Sequence, residues 1–525
     1  MPTEVPWYRQ TDIGARAADE TEIIVEAFHN RSPSIEIKGE RDPAAYDDDV
    51  TPGGIGFMYA EYRLLVREEY SDQVVELVRA EGAANLQTSP VVRGVLLLTW
   101  NGEGKSDNEL AKSDDDNPKG DEGSTEGDGG IAQGNSEAQD GRQTPTVLYL
   151  VALIEQRYGV GVATPDQVLT ASNGEISHCP ATEPEEFYGP KKPYPPARDD
   201  DGGRGVRIFI ADTGLLQDAT EQAWLAEHKW LEGVMYDDFD PAIGADGMIP
   251  QYAGHGTFVA GVVRCMAPKA TILVANIFNT AGSALESDFV LRLNDAFDFG
   301  FEILHITASC LTWNNQQLIA LDAWLEQLKA YKGVVCIAPA GNNHTRRPSW
   351  PGALRGVLCV GALSTDWCSR AYFTNYGSYV DVYAPGQNLV NAYATGTYEC
   401  QVDPYQGQLR TFEGMAQWSG TSFSTPVVTG LIAARMTRCG ESAREAAEAL
   451  LAIARKQRIP GVGPVLLPDR GDEDCGCGRR DRRDHGCECG GRSGCGCARD
   501  GGCGCDVRRG CGAGCRCGGG GGRLP

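Results

Sequence analysis

No run of apolar residues in this 525-residue chain approaches the roughly 20 needed to cross a bilayer, which excludes a helical membrane span. The N-terminus, Met1-Pro2-Thr3-Glu4-Val5-Pro6-Trp7, has neither a basic start nor an apolar core, so no secretory signal is read there. The expected location is cytoplasmic, with export by an unrecognised route as the alternative. Positive charge is scarce: 47 Lys and Arg face 72 Asp and Glu, for a net charge of -25. A phosphate backbone is held by clustered cations, so a nucleic-acid surface is excluded as well. That charge suits a polypeptide partner of neutral or basic character. Histidine is sparse, and of the seven only His255 has a motif around it. Paired zinc-finger spacing (Cys-x₂-Cys) is missing altogether, so no defined finger is expected.

Three short strings stand out against that background. Asp212-Thr213-Gly214, His255-Gly256-Thr257 and Gly420-Thr421-Ser422-Phe423-Ser424-Thr425-Pro426 occur in that order. A serine nucleophile needs a base to take its proton and a carboxylate to hold that base in the right tautomer. Asp212 ends the apolar run Val206–Ala211, which reads as a buried strand, and Gly214 lets the chain turn at the strand's carboxyl edge. His255 and Ser422 each open an apolar stretch of helical character. A serine in the first turn of a helix meets the positive end of the helix dipole. A fourth string, Val334–Ala338 running into Pro339-Ala340-Gly341-Asn342, offers an Asn amide as a donor to a tetrahedral oxyanion.

These strings, with Phe373-Thr374-Asn375-Tyr376-Gly377 and Val380–Gly386, resemble the subtilisin-like serine proteases over residues 204–456. The resemblance implies Asp212 as orienting acid, His255 as general base, Ser422 as nucleophile and Asn342 as oxyanion-hole donor. It implies Thr307, Ala308, Ser309, Ala340 and Gly341 as the substrate-binding set. Two departures bear on side-chain preference. Phe423-Ser424 stands where the family usually has Met-Ala, and Thr307-Ala308-Ser309 where it usually has Ser-Leu-Gly. The fold class so implied is α/β, a subtilisin-like parallel sheet with helices on both faces, as the alternation of strands and helices from Arg204 to Arg455 also suggests.

The remaining segments divide by composition. Residues 1–54 are acidic and read as flexible, with helix only between Ala17 and Phe28. Residues 55–171 read as a small α+β module: a strand at Phe57–Leu65, a helix capped by Ser71, a strand region at Val91–Trp100, a helix at Val147–Tyr158 and a closing strand at Val160–Leu169. That succession resembles the ferredoxin-like prodomain of the family, with an unrelated accessory domain as the alternative. An insert at 101–144 is Gly/Ser/Asp/Glu-rich and reads as disordered, and 172–203 reads as a Pro- and Asp-rich linker. Within the protease region, Ser287 is expected to cap a helix through Phe289, Leu293, Ala296 and Phe297. Cys265, Cys336 and Cys359 read as small core residues.

Residues 457–525 form a linker and a Cys/Gly-rich low-complexity tail. From Asp472 onward lie 11 of the 19 cysteines, namely Cys475, Cys477, Cys487, Cys489, Cys495, Cys497, Cys503, Cys505, Cys511, Cys515 and Cys517. Most fall in Cys-x-Cys units that can share a soft metal, zinc or copper(I), against disulfides or a tract of no fixed role. No cofactor is needed for the chemistry, and structural calcium is the other metal candidate. The function expected is a serine endopeptidase acting on polypeptides. A peptide-processing transamidase on the same scaffold, or a metal-binding regulatory protein with a secondary protease domain, are the alternatives.

Overall fold

The computed structural model describes residues 15–40, 56–101, 144–171, 181–190, 192–198, 200–216, 231–234, 246–401 and 404–468, all within one compact unit. The proposed tail metal ligands and the acidic insert lie outside the described residues. The first elements are α1 (Ala15–His29), β1 (Ile37–Glu40), β2 (Phe57–Arg67), α2 (Ser71–Ala80), β3 (Ala84–Val92), β4 (Val95–Asn101), α3 (Val147–Tyr158) and β5 (Ala163–Thr170). The stretch read as flexible thus contributes a helix and a strand. Ile24, Phe28 and Ile37 pack onto Ala60 and Val168, so burial rather than local composition orders it. The apolar run read as one strand region is a hairpin. Gly94, at φ +89°, completes a two-residue turn with Arg93 that splits it into β3 and β4.

From β2 to β5 the succession is βαββαβ, and the strands lie in the order β3-β4-β2-β5. A further strand, β9, joins β5 from the peptidase part of the chain, so one sheet is shared between the two. The peptidase part runs β6 (Arg207–Asp212), β7 (Leu231–Val234), α4 (His255–Met266), β8 (Thr271–Asn276), β9 (Ser283–Leu285), α5 (Glu286–Arg292), α6 (Asp295–Phe299), β10 (Ile303–Ile306), α7 (Ile319–Leu328), β11 (Val335–Pro339), β12 (Val357–Leu363), β13 (Val382–Pro385), β14 (Leu389–Glu399), β15 (Leu409–Trp418), α8 (Thr421–Cys439) and α9 (Ala443–Lys456). Seven of these strands form a parallel sheet in the order β13-β12-β11-β10-β6-β8-β7.

Alternate residues of the buried strands face opposite layers, as the two-residue period of a strand requires. Ile208, Ile210 and Ile303 face a core built on α4 and α8, while Phe209, Ala211, Leu304 and Ile306 face one built on α5 and α7. Every residue of α4 is buried, because α8, β8 and β14 enclose it. Burying one such side chain as large as Phe258 favours folding by about 1.5–3 kcal/mol. The segment read as a linker also leans on this domain. Glu185 pairs with Gln417 of β15, and Tyr194 with Val390 of β14.

Two helix starts receive their caps from distant carboxylates, which corrects the expectation that Ser287 is itself a cap. Ser287 lies inside α5. Its N–H donates to Asp166 Oδ1 at 3.0 Å and its hydroxyl to Oδ2 at 2.7 Å, while Arg63 Nε donates to the same Oδ2 at 2.9 Å. Glu286 Oε1 in turn accepts from Ala320 N (2.6 Å) and Leu321 N (3.0 Å) at the start of α7. Both acids are fully buried. Burial, reinforced by the nearby Asp166 and Asp322 and only partly opposed by the backbone donors, pushes Glu286 up to about 8.

A carboxyl raised in the folded state is protonated there. Its contribution is complete below the ordinary carboxylate range and is lost as pH rises through about 8. The melting temperature should therefore fall between pH 6 and pH 9, and Glu286→Gln should fall less and exceed wild type at pH 9. Parallel curves for the two proteins would show that Glu286 does not carry this dependence.

Candidate active site

The parallel sheet reverses its direction of connection beside β6: from β6 the chain goes out to the edge strand β7 and returns through β8, then crosses to β10 and proceeds outward to β13 on the other side. Ligands of open α/β sheets bind at the carboxyl ends of strands at such a point. Asp212 is the last residue of β6, and His255 opens α4 directly after Gly254 at φ +83°. The glycine following the histidine is required by space, since a Cβ on Gly256 would lie 2.2 Å from Gly214 O.

His255 Nδ1 donates to Asp212 Oδ1 at 2.7 Å with both side chains fully buried. The same oxygen accepts from Thr213 N at 2.6 Å, and Thr213 Oγ1 accepts from Gly256 N at 3.1 Å, locking strand end to helix start. The imidazole packs against the rings of Phe423 (5.3 Å between centroids) and Trp418 (5.6 Å, edge-on). Its Nε2 has no hydrogen-bond partner among the described residues.

Ser422 sits in the first turn of α8, after Gly420 and Thr421. Two neighbouring hydroxyls, Ser424 Oγ and Thr425 Oγ1, donate to Thr421 O at 3.0 and 2.7 Å. The Ser422 hydroxyl donates to the carbonyl of Ala171 at 3.2 Å. Asn342 follows β11, and its Oδ1 accepts from both Thr421 N and Thr421 Oγ1 at 2.9 Å. This fixes the amide oxygen on Thr421 and turns the amino edge the other way. Asp212, His255, Ser422 and Asn342 are therefore gathered at one sheet edge.

The five expected substrate-binding residues divide in two. Ser309 exchanges both backbone bonds with Thr170, N–H to O at 3.1 Å and 2.9 Å. Thr307, Ala308, Ala340 and Gly341 are buried beneath. Thr307 Oγ1 donates to Ala211 O at 2.8 Å, and Gly341 N donates to Thr421 Oγ1 at 3.2 Å. On the opposite side β5 pairs antiparallel with β9, and Ala171 N donates to Gly282 O at 2.8 Å. The end of β5 is thus a strand held between two others, delivered to Ser422.

Sequence reasoning missed several neighbours. Gly282 and Asp166 show their roles only through pairing across more than a hundred residues, and Glu286 through a cap 34 residues away. His305 lies on β10, buried, with Nδ1 2.8 Å from Thr429 Oγ1. No motif surrounds it. Among the described residues no group of three or more His, Cys, Asp or Glu side chains could hold a metal ion, and no helix is long and apolar enough to cross a membrane. Cys265, Cys336 and Cys359 are buried and free.

Comparison with known proteins places the peptidase part. The subtilase family model matches residues 203–461. Thermitase of Thermoactinomyces vulgaris is 30% identical over 296 residues, covering 54% of this chain and 92% of that protein. The thermophilic serine proteinase of Bacillus sp. (strain AK1) is 30% identical over 291 residues, 53% of this chain and 63% of that one. A crystal structure of a cold adapted subtilisin-like serine proteinase aligns with a TM-score of 0.39 at 21% identity, covering 52% of this chain and 91% of that one. The match to thermitase spans nearly all of that protein, and the family model takes in both strand ends and both helix starts described above: the chain belongs to the subtilase family and is a serine-type endopeptidase.

Proposed function

We propose that Ser422 attacks a peptide carbonyl to form an acyl-enzyme, with His255 as general base, Asp212 as its orienting carboxylate and Asn342 as an oxyanion donor. The observation that carries this reading is the 2.7 Å Asp212–His255 bond beside a serine whose hydroxyl already meets a backbone carbonyl. The Nδ1–H of His255 is engaged by Asp212, so Nε2 presents its lone pair and can take the serine proton. The carboxylate then stabilises the imidazolium that forms. Charge on the attacked oxygen develops near the positive end of α8, where the Ser422 N–H and the Asn342 amide supply donors. The imidazolium passes its proton to the leaving amine, and water repeats the cycle on the ester. Ser309 and the β9 segment bind substrate as an added strand, which reads backbone first and side chains second.

Triad members act as a unit. Ser422→Ala and His255→Ala should each lower kcat by similar large factors, and the double variant should be hardly worse than either. Additive losses would contradict the assignment. Asn342→Ala should cost about 10²–10³ in kcat, the magnitude seen when a subtilisin loses such a donor, with KM nearly unchanged. An undiminished kcat would remove Asn342 from the oxyanion site.

The same reading extends to control. The βαββαβ module is proposed to be a prodomain whose closing strand is the first substrate. Residues Val168 to Ala171 lie along β9 as a bound peptide would, and the Ser422 hydroxyl reaches the Ala171 carbonyl. One cut next to that carbonyl follows, and the pairing of Glu185 and Tyr194 with β15 and β14 keeps the new N-terminal segment attached. Intact mass of wild type should show a fragment beginning at Ser172, absent from Ser422→Ala. A fragment beginning elsewhere, or a full-length chain that is active, would contradict the prodomain reading.

A further inference from the structure

Two stretches of the chain's own backbone lie against Ser422 and the loop before it. The first is the end of β5, held by β9, Gly282 and Ser309, which stops where the Ala171 carbonyl meets the Ser422 hydroxyl. Whatever follows a scissile carbonyl must leave on the other side of the nucleophile, past the loop that joins β15 to α8. The second stretch fills that side. Ala181 N–H donates to Ser419 O at 2.9 Å, shortly before the serine, and Glu185 exchanges both backbone bonds with Gln417 at 2.9 Å. Residues 181–185 thus run antiparallel to the end of β15, as a peptide does when it is added to a sheet edge.

The anchors of this second stretch are those of a core element. Ala181 is fully buried against Ala362, Ala371 and Phe373. Thr182 O accepts from Trp418 Nε1 at 2.6 Å, and Pro184 O accepts from Arg410 Nη1 at 2.7 Å. Buried Glu183 accepts through Oε1 from the Tyr398 hydroxyl at 2.9 Å and from Gln401 N–H at 2.7 Å. All of these partners belong to the peptidase part, so a cut after Ala171 removes none of the bonds. Each adds only a modest net stabilisation, but the stretch leaves its place only when several open together. Being tethered beside its own site, it also competes there at an effective concentration that a free peptide does not reach.

We propose that residues 181–185 keep the leaving-group half of the substrate groove filled in the active enzyme. The enzyme then favours substrates whose leaving part is short, such as peptides cut close to their carboxyl end, over those that continue far beyond the scissile bond. This rests on Ser422 as nucleophile and on the cut after Ala171. Once the end of β5 has gone, β9 and Ser309 are open to the acyl half of a substrate. On the other side Ser419 O is already taken by Ala181. A long leaving part binds only to the fraction of molecules in which the stretch has lifted away, and its KM rises by the inverse of that fraction.

The test takes the processed enzyme and two substrates with the same acyl half: a peptide p-nitroanilide, and that peptide continued by several residues beyond the scissile bond. Ala181→Arg puts a long cation where only a methyl group fits, between Ala362, Ala371 and Phe373. It should lower KM for the extended peptide by about tenfold and leave KM for the anilide and kcat for both unchanged. An unchanged KM for the extended peptide, or an equal change for both substrates, would overturn the proposal. Should the variant not fold, amide hydrogen exchange in processed wild type decides. Slow exchange at Ala181 and Glu185 supports the proposal, and exchange as fast as in an unstructured peptide overturns it. Wild type that cleaves neither substrate would count against the nucleophile or the cut, while the exchange measurement still decides where residues 181–185 lie.

Discussion

Everything at the site depends on where β6 ends. The strand lies between β8 and β10 in an all-parallel sheet, so its last side chain, Asp212, emerges at the carboxyl edge where the order of connection reverses. Its backbone register is fixed on both sides over four or more residues. A slip of one residue would turn Asp212 toward the α5/α7 layer, away from His255. The 2.7 Å bond to His255 is thus a consequence of sheet register, of Gly256 allowing close approach to Gly214, and of the wholly buried α4.

A second constraint comes from outside the peptidase part. The βαββαβ part adds β5 to β9 and, beyond it, Thr170 to Ser309, so one strand ties it to the peptidase part and ends at Ser422. Electrostatics reinforces this docking. Asp166 of β5 caps α5, Arg63 of β2 partners it, and Glu286 beside them caps α7. Two buried acids with one close cation form an arrangement in which protonation, not pairing alone, relieves the cost of burial.

Much of this was legible in the chain itself. The buried strands of the sheet announce themselves as continuous apolar runs, and α3 spans the predicted Val147–Tyr158. The settings of Asp212, His255, Ser422 and Asn342 were visible because local requirements cluster there: a turn after a strand, a glycine beside a histidine, a serine opening a helix. What was not legible is what depends on distance in sequence. Ser287 looks like a cap because its own neighbourhood is all that the sequence displays, whereas Asp166, 121 residues away, performs that task. The Arg93-Gly94 turn was hidden within an apolar run, and α1 gains its order from packing on β2 and β5. Ser309 was expected to meet substrate, but that β5 would be the strand it meets appears only in three dimensions.

The account stands or falls on Ser422 being the nucleophile at this sheet edge. A fluorophosphonate reacts with an activated serine and leaves a stable mass on it, so labelling followed by peptide mapping reads that property directly. The account predicts one modified peptide in the wild-type protein, carrying the mark on Ser422, and no label on Ser422→Ala or on His255→Ala. A mark on another residue, or undiminished labelling of Ser422→Ala, would contradict it.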